Sequence, residues 1–301
     1  MNKPGVKEYR EYCPPGVKRM IASGGSAWIG EVNETTVLKY PLAPDNTDVS
    51  WLETERKLLE IVGHHEHIIK VKGCTENGWL YLERATNGNL DDYYLRPAYP
   101  PPPPSLEQRI AWCQEIAEAV HSRGVIHCDI QPRNILLDEG LRTKLADFQG
   151  KHVSENGTVL LDGWSSEPCR FYCPRRDPFD ADVQTDLFAL GCTIYFIMMG
   201  HAVFPDIADG EAGWFEKSSI GLQRKSFQRI RMLVARSLAN AGTKSMTLPM
   251  TCFWIWRLSE RECSTLTVTE LAEVFAAQDV RRLDKIQVAV GYQSMSFILE
   301  C

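Results

Sequence analysis

The chain has 301 residues, of which 44% are hydrophobic and 24% charged, which is enough apolar material for one large domain or two lobes. The formal net charge of −6 argues against a nucleic-acid-binding surface as the main function, because neutralising phosphates requires a concentrated basic patch. Ten cysteines without paired spacing, and an N-terminus that lacks an apolar run, predict a reduced chain in the cytoplasm or nucleus. The longest uncharged apolar run, residues 187–199, is too short to span a bilayer, so no membrane span is predicted.

The first part of the chain has the pattern of a small β-rich unit. Residues 17–40 contain apolar runs separated by a Gly/Ser-rich turn and then by Asn33-Glu34-Thr35, which predicts a hairpin followed by a third strand. Residues 51–62 carry leucines and valine close to helical spacing, and Gly63 is the predicted end of that helix. The segments IIKVKGC and GWLYLERA supply two more predicted strands.

The second part of the chain has helical patterns behind a proline-rich connector. Residues 96–108 hold too many prolines for a helix or a central strand, because proline fixes φ and removes a hydrogen-bond donor. Ser105 with Gln108 forms a capping-box signature, which predicts a helix from there to Gly124. Short strands are predicted around VIH, ILLD and TKLADF, followed by an irregular segment to about residue 180 and then by helices.

Acidic and amide side chains are concentrated in two motifs, HCDIQPRNILLD at 127–138 and DFQG at 147–150. Asp129 and Asn134 lie five residues apart in the first motif, and Asp147 follows in the second after a predicted strand pair. Phosphoryl transfer asks a protein mainly to position a nucleophile and to neutralise negative charge with metal ions and cations. Two carboxylates and an amide that converge on the same metals suit that chemistry.

These motifs resemble H-R-D-L-x-x-x-N and D-F-G of the eukaryotic protein kinase family. The set of HCDIQPRN, DFQG and a CPR in place of A-P-E resembles the divergent kinase-like proteins common in filamentous fungi. The resemblance implies an α+β, bilobal protein kinase-like fold with a small β-rich N-lobe and a larger, mainly helical C-lobe. It divides the chain into a tail at 1–16, the N-lobe at 17–84, hinge and C-lobe at 85–280, and a tail at 281–301. Residues 205–250 have no clear match, whereas TLTVTELAEVF resembles a final helix.

The resemblance also implies a role for individual residues. It makes Asp129 the base for the acceptor hydroxyl, Asn134 and Asp147 magnesium ligands, and Lys39 the strand lysine that reaches the phosphates and pairs with Glu55. The residues that it places around ATP are Ala22, Gly24 and Ala27 of the phosphate loop, Leu82 at the gatekeeper position, Glu83 to Ala85 of the hinge, and Asn89 near the ribose. Its structural residues are Asp186, which anchors the catalytic loop, and His127, Phe148 and Leu59, which form an internal spine.

Several positions depart from the family pattern. Ala22 and Ala27 replace two glycines of the phosphate loop, so their Cβ atoms should weaken the contact between backbone amides and phosphates. Cys128 replaces an arginine that would engage a phosphorylated activation loop. Gln131 replaces a lysine that faces the transferred phosphate, Gln149 replaces the glycine of D-F-G, and Arg175 reverses the charge of the A-P-E glutamate. The buried ion pair of that glutamate is therefore not expected in its usual sense.

Three functions remain open on these residues. The resemblance implies an ATP- and Mg²⁺-dependent kinase that phosphorylates Ser/Thr of protein substrates at a reduced rate. The substitutions also allow a catalytically impaired pseudokinase that acts as a nucleotide-binding or protein-interaction module. A small-molecule phosphotransferase of the aminoglycoside or choline kinase type is disfavoured by TDLFALG, which fits protein kinases better. The expected cofactors are ATP and Mg²⁺, and the expected partner is a protein substrate, with no nucleic acid, no membrane and a monomer by default.

Overall fold

The computed structural model describes residues 12–43, 48–95, 103–120, 122–173, 175, 177, 179–203 and 213. Most of the proline-rich connector, the region 205–250, the final helix predicted in TLTVTELAEVF and both predicted tails, apart from residues 12–16, lie outside the described residues. Within the described ranges the architecture is α+β, with a β-sheet first and helices later, as the sequence predicts.

Five antiparallel strands form the first part of the fold. They are ordered β1-β2-β3-β5-β4 in the sheet, with bounds Arg19–Ser23 for β1, Ala27–Asn33 for β2, Thr36–Pro41 for β3, Val71–Cys74 for β4 and Leu80–Glu83 for β5. The β2–β3 turn is tight because the Asn33 side chain accepts a hydrogen bond of 3.0 Å from the Thr35 amide. The predicted hairpin, third strand and two later strands are all confirmed.

Strand β3 is central and is buried on both faces. Leu38 and Tyr40 pack with Trp28 in a small cluster on one face, while Val37 belongs to the main core on the other. Because side chains alternate along a strand, Lys39 lies on the same face as Val37. The strand thereby directs one lysine into an otherwise apolar layer, where it needs a charged partner.

Helix α1, Ser50–Val62, lies between β3 and β4 in the chain and confirms the predicted helix. Its buried positions are Leu52, Glu55, Leu58, Leu59 and Val62, which is the spacing of one helical face. The helix ends at Gly63, which has φ 73° and donates its amide to Leu59 O at 2.9 Å. Glycine adopts this left-handed conformation without steric cost. Glu55 is therefore the acidic residue on a face that is otherwise apolar.

Within the described ranges the second part contains three helices, α2, Leu90–Leu95, α3, Leu106–Ala119, and α4, Val183–Met199. Ser105 caps α3 by accepting the Gln108 amide at 3.2 Å, as predicted. The predicted end at Gly124 is wrong: α3 ends at Ala119 because Val120 is extended, and Gly124 belongs to a separate short turn. A Cβ on Gly124 would lie 2.6 Å from the Val153 carbonyl, so this position requires glycine for close packing.

The described residues of the second part also form short strands, and two of these strands were not predicted. Strands β6 to β8 occur at the predicted places, whereas the segment predicted to be irregular up to residue 180 contains a further hairpin. The bounds are Val125–Ile126 for β6, Ile135–Leu137 for β7, Thr143–Leu145 for β8, Lys151–Val153 for β9 and Val159–Asp162 for β10. Asn156-Gly157 in the β9–β10 connection is a hairpin-turn signal that the sequence reading assigned only to loop. Gly157 has φ 81°, as such a turn requires.

Helix α4 is buried along nearly all of its length, as the uncharged run predicts. It begins at Asp182, whose side chain accepts the Gln184 and Thr185 amides, and ends at Gly200. Its apolar side chains share one core with α1 and α3, in which Trp112 is fully buried and donates to Leu141 O at 2.6 Å. No helix in the described ranges is long and apolar enough to cross a membrane.

Candidate active site

A cleft of about 810 Å³ is lined by the five-stranded sheet and by the loops that follow β5, β6 and β8. The structure brings all the residues predicted to contact nucleotide, metal or acceptor to this one cleft: Ala22, Gly24, Ala27, Lys39, Glu55, Leu82, Glu83, Ala85, Asn89, Asp129, Asn134 and Asp147. Val37, Leu136 and Ala146 also line it and were not singled out from the sequence. Their positions in the sequence, close to the motif residues, are the signal that could have identified them as cleft residues.

Lys39 lies between two carboxylates at the back of the cleft. Its Nζ is 2.6 Å from Glu55 Oε2 and 2.5 Å from Asp147 Oδ1. The lysine is 6% exposed and Glu55 is fully buried, and the ring of Trp51 lies 5.8 Å from the ammonium. The sequence alone left Glu53 as a neighbour that could replace Glu55. The structure resolves this, because Glu53 pairs with Lys57 on the exposed face of α1.

Burial and pairing together set the ionisation of this group. Burial disfavours a charged amine, but the two carboxylates outweigh it and raise the pKa of Lys39 well above its usual range. Burial raises the pKa of Glu55 despite the nearby ammonium. Burial acts in the same direction on Asp147, but the charge and hydrogen bond of Lys39 prevail and lower the pKa of Asp147. Lys39 is therefore charged at neutral pH, and Asp147 is a carboxylate ready to bind a cation.

Gln149 extends this network from the loop side. Its Nε2 donates to Asp147 Oδ1 at 2.9 Å, and its backbone amide donates to Asp147 O at 3.0 Å. The second oxygen of Glu55, Oε1, is buried and makes no hydrogen bond with the described part of the chain. The Gln149 amide is close enough to act on the pKa of Glu55 in the lowering direction. The residue that replaces the D-F-G glycine thus contacts the predicted metal ligand directly.

Asp129 is held by two neutral amides. Gln131 Nε2 donates to its Oδ1 at 2.7 Å, and Asn134 Nδ2 donates to its Oδ2 at 2.7 Å and to its backbone carbonyl at 2.9 Å. Burial first, and then the negative charge of Asp147, raise the pKa of Asp129 to about 7. A carboxylate with a pKa near neutrality is suited to take a proton in general-base catalysis.

The donor set suits a magnesium ion. The described residues contain no group of three or more His, Cys, Asp or Glu side chains that could hold a metal by themselves. Mg²⁺ does not require such a cage, because it is commonly bound by one or two carboxylates together with substrate phosphates. Both hydrogen bonds donated by the Asn134 side chain use Nδ2, and those accepted by the Asp147 side chain use Oδ1. One oxygen of each residue therefore remains for a cation.

Asp186 fixes the backbone of the loop that carries Asp129. Its two carboxylate oxygens accept the His127 amide at 2.7 Å and the Cys128 amide at 2.9 Å. Cys128 has φ 61°, an uncommon conformation for a residue with a side chain. These hydrogen bonds stabilise that conformation from a fully buried position at the start of α4. Burial raises the pKa of the Cys128 thiol well above its usual range, so the thiol is not an activated nucleophile.

His127 and Phe148 join the two motifs. Their ring centroids are 4.7 Å apart, and Phe148 lies in the same buried cluster as Leu59 of α1. His127 Nε2 donates to Ala146 O at 2.9 Å, while its Nδ1 accepts the Asp129 amide at 3.2 Å. Burial lowers the pKa of His127, which favours this neutral tautomer. The histidine therefore connects the loop of the predicted base to the loop of the predicted metal ligand.

The turn between β1 and β2 covers one side of the cleft. Gly24 donates its amide to Ala27 O at 2.8 Å. A Cβ on Gly25 would meet open space, and one on Gly24 would lie 4.0 Å from Ala27 O, which is an ordinary contact. Ala27 is buried, whereas Ala22 is exposed. The conformation of this turn therefore does not depend on glycine. On the opposite rim the Asn89 side chain accepts the Asp92 amide at 2.8 Å, so it also fixes the start of α2.

Arg175 forms an ion pair that sequence reasoning missed. The reversed charge led us to expect that no buried pair forms there in its usual sense, and the structure instead pairs Arg175 with Glu167, eight residues earlier. The guanidinium Nη2 lies 2.7 Å from Glu167 Oε2, and Nη1 donates to Glu167 Oε1 at 3.4 Å. The signal that could have identified this pair is Glu167 itself, an acidic residue just upstream in a segment that was predicted to be irregular.

Comparison with known proteins agrees with this geometry. The family model described as "Protein kinase domain" matches residues 31–233, which is more than half of the chain. Fibroblast growth factor receptor homolog 1 of Drosophila melanogaster is 28% identical over 215 residues, covering 62% of this chain and 29% of that protein. Calcium/calmodulin-dependent protein kinase type II of Caenorhabditis briggsae is 28% identical over 210 residues, covering 63% of this chain and 38% of that protein.

The matched segment thus spans less than two fifths of either relative's own length. The more specific resemblance to filamentous-fungal proteins stays a prediction. The bilobal α+β architecture, the two motif loops around one cleft and the family match together show that the chain belongs to the protein kinase domain family.

Proposed function

We propose that this chain is an ATP- and magnesium-dependent protein kinase that transfers the γ-phosphate of ATP to serine or threonine hydroxyls of a protein substrate, at a reduced rate. The observation that carries the proposal is the convergence of five groups on one cleft. These groups are the Lys39 ammonium with Glu55 behind it, the Asp147 carboxylate, and the Asp129–Asn134 pair. Each supplies a charge or a hydrogen bond that phosphoryl transfer needs.

Lys39 is the cation for the α- and β-phosphates. Its ion pair with Glu55 holds the ammonium at a fixed place on β3, so nucleotide binding does not have to order a flexible side chain. Its second contact, to Asp147, must yield when phosphate and metal enter, since both groups are then engaged by the nucleotide complex. Magnesium bound by Asp147 and Asn134 would neutralise charge on the phosphates.

Asp129 accepts the proton of the acceptor hydroxyl as that oxygen attacks the γ-phosphorus. The bond between the γ-phosphorus and the β–γ bridging oxygen breaks, and ADP leaves with the electron pair. Gln131 occupies the position of the family's phosphate-facing lysine and donates to the base. As an amide it adds no positive charge, so stabilisation of the transition state should be weaker, which is the reason for a reduced rate.

The second candidate is a nucleotide-binding module without transfer activity. It is favoured by one specific observation. Asp147 Oδ1 already accepts hydrogen bonds from both Lys39 and Gln149, so the Asp147 carboxylate and the Lys39 ammonium partly neutralise each other. A protein of this kind would act through contacts made by the kinase-shaped surface. Both candidates bind nucleotide, but only the first transfers a phosphate.

Radiolabelled ATP and a mixture of protein substrates test the first proposal, with Asp129→Asn as the matched variant. The wild type should transfer label, and loss of the base should reduce transfer roughly 100- to 10,000-fold. Equal background in both proteins would count against catalysis, and label found only on tyrosine would overturn the Ser/Thr assignment.

Thermal unfolding separates the two candidates. ATP with magnesium at about 100 times its dissociation constant should add about 2.7 kcal/mol to the free energy of unfolding, in the wild type and in Asp129→Asn alike. A shift without transfer would favour the binding module. No shift in either protein would contradict both candidates.

A further inference from the structure

The segment that precedes β1 packs on one face of the five-stranded sheet. We call this segment, residues 12–18, the strap. Its Tyr12 and Val17 side chains contact a buried cluster made of Trp28, Leu38 and Tyr40. Residues 12–16 fall in the segment predicted to be a tail, and the family match begins only at residue 31. The strap therefore lies outside the segment that the family model describes.

The strap contains a turn that its own sequence specifies. In Pro14-Pro15-Gly16-Val17 the Val17 amide donates to Pro14 O at 3.0 Å, and Gly16 has φ 89°. Proline at the second position and a glycine with positive φ at the third are typical of a type II β-turn. Beyond the turn the Lys18 amide donates to Glu31 O of β2 at 2.7 Å. The turn thus folds the chain back onto the sheet and leads directly into β1.

Two close contacts hold the strap against the sheet. Tyr40 Oη donates to Tyr12 O at 2.7 Å, and the two rings meet edge to face with centroids 6.3 Å apart. A Cβ on Gly30 would lie 2.5 Å from Val17 Cγ1 and 3.1 Å from Tyr40 Cε1. Val17 therefore fills the space that the missing side chain of Gly30 leaves, and the strap requires glycine at this position of β2.

The strands that carry the strap on one face carry cleft residues on the other. Ile29 of β2 pairs with Lys39 of β3, and both line the cleft. Gly30 follows Ile29 and Tyr40 follows Lys39, and these two residues contact the strap instead. Successive side chains of a strand point to opposite faces, which accounts for the alternation. The strap therefore supports, from behind, the part of the sheet that places the predicted phosphate-binding lysine.

We propose that the strap is a positioning element for the nucleotide. Packed behind β2 and β3, it fixes the strands that place Lys39, and its release lowers the affinity for ATP. Because the strap continues into β1, it also fixes the start of the strand whose Ala22 lines the cleft. This inference rests on the proposed function in one respect, because that function names ATP as the ligand. It goes beyond that function by giving a role to a segment outside the cleft.

Hydrogen exchange of the Val17 and Lys18 amides, followed by mass spectrometry on the full chain, tests how the strap is held. Gly30→Ala places a methyl group where Val17 packs, so exchange of both amides should become at least about tenfold faster, because overpacking destabilises a close contact. Gly30→Ala combined with Val17→Ala removes the clashing methyl groups and should exchange more slowly than Gly30→Ala alone. Gly25→Ala is the matched control, since its Cβ would meet open space, and should exchange at the wild-type rate.

The ATP concentration that gives half of the ATP-dependent thermal shift tests the positioning role. In Gly30→Ala this concentration should rise on the order of tenfold, because only the fraction of molecules with the strap in place binds ATP tightly. The double variant with Val17→Ala should recover most of the affinity. Tyr40→Phe removes only the hydroxyl that donates to Tyr12 O, so it should raise the concentration by a smaller factor. A merely structural role would lower thermal stability and leave the half-saturating ATP concentration unchanged.

Three results would overturn the proposal. They are wild-type exchange in Gly30→Ala, no recovery in a folded double variant, and faster exchange with an unchanged half-saturating ATP concentration. If Gly30→Ala does not fold, Tyr40→Phe decides the matter, because wild-type ATP affinity in that variant would contradict the proposal.

The inference and the proposed function fail separately. If the wild type binds ATP but transfers no phosphate, the proposed function is wrong, and the order of ATP affinities still decides the role of the strap. If transfer occurs but that order is not seen, the inference is wrong and the proposed function stands.

Discussion

On the nucleotide side of the cleft Lys39 lies between two carboxylates, whereas on the acceptor side Asp129 lies between two neutral amides. The first arrangement keeps the full charges that bind phosphates and metal. The second lacks the cation that would face the transferred phosphate, because Gln131 is neutral. Nucleotide binding and phosphoryl transfer are therefore supported to different degrees in one cleft, and each side can be tested by itself.

The largest effect is expected from Lys39→Met. It leaves Glu55 and Asp147 without their shared cation, so the free energy of unfolding should fall by about 3–5 kcal/mol, and ATP should no longer stabilise the protein. Urea unfolding with and without ATP and magnesium measures both effects. Lys57→Met is the matched control, because Lys57 pairs with Glu53 on the exposed face of α1 and its loss should have little effect. If Lys39→Met and Lys57→Met are equally stable, Lys39 does not stabilise the fold by compensating two carboxylates.

The acceptor side should determine the pH dependence of transfer. The pKa of Asp129 is raised to about 7, so its carboxyl group gains a proton below that pH and can no longer act as a base. The value of kcat/KM should therefore fall about tenfold for each pH unit below this pKa. ATP binding by thermal shift over the same range is the control, and it should change much less. An inflection near pH 4, the ordinary range of aspartate, would show that burial does not tune this base.

Gln131→Lys should restore the missing cation of the acceptor side. A positive charge near the transferred phosphate stabilises the transition state, so the transfer rate should rise on the order of tenfold. Gln131→Met, which removes the hydrogen bond to Asp129 without adding charge, is the matched control and should lower the rate. Label transfer at saturating ATP measures the effect. If Gln131→Lys transfers phosphate no faster than the wild type, the missing cation is not what limits the transfer rate.

The smallest effect is expected from Gln149→Ala. The Gln149 amide donates to Asp147 Oδ1 and so partly offsets the negative charge of the carboxylate that would bind the metal through its other oxygen. Without this amide, the magnesium concentration that gives half of the ATP-dependent thermal shift should fall by about fivefold. Alanine is preferred to glycine here because it removes the amide without freeing the backbone. Gln149→Glu, which adds a negative charge beside Asp147, should lower the free energy of unfolding. A higher magnesium requirement in the alanine variant would instead make Gln149 a residue that positions the ligand.

Local patterns predicted most of the first part of the fold. The turn at Asn33-Glu34-Thr35, the helix that ends at Gly63 and the Ser105 cap are each encoded within a few residues, so the sequence was sufficient. The β9–β10 hairpin was missed although Asn156-Gly157 is a strong turn signal. The end of α3 was also misplaced, because close packing of Gly124 against the Val153 carbonyl depends on a strand far along the chain.

The motifs predicted which residues meet in the cleft, but the sequence did not give their contacts. Residues 39, 55 and 147 are separated by long stretches of chain, and only packing of β3, α1 and the D-F-Q-G loop decides that one ammonium is shared by two carboxylates. The choice of Glu55 over Glu53 follows from the buried face of α1. The contact between Gln149 and Asp147 was not expected, since the glycine that normally stands there has no side chain.

The motif residues and their order along the chain were sufficient to predict the protein kinase fold and the groups in its cleft. How those groups are ionised and paired follows from the folded structure. Burial raises the pKa of Asp129 to about 7, Lys39 compensates two carboxylates, and Arg175 finds Glu167. Ionisation depends on desolvation and on distances between charges, and both exist only once the chain is folded.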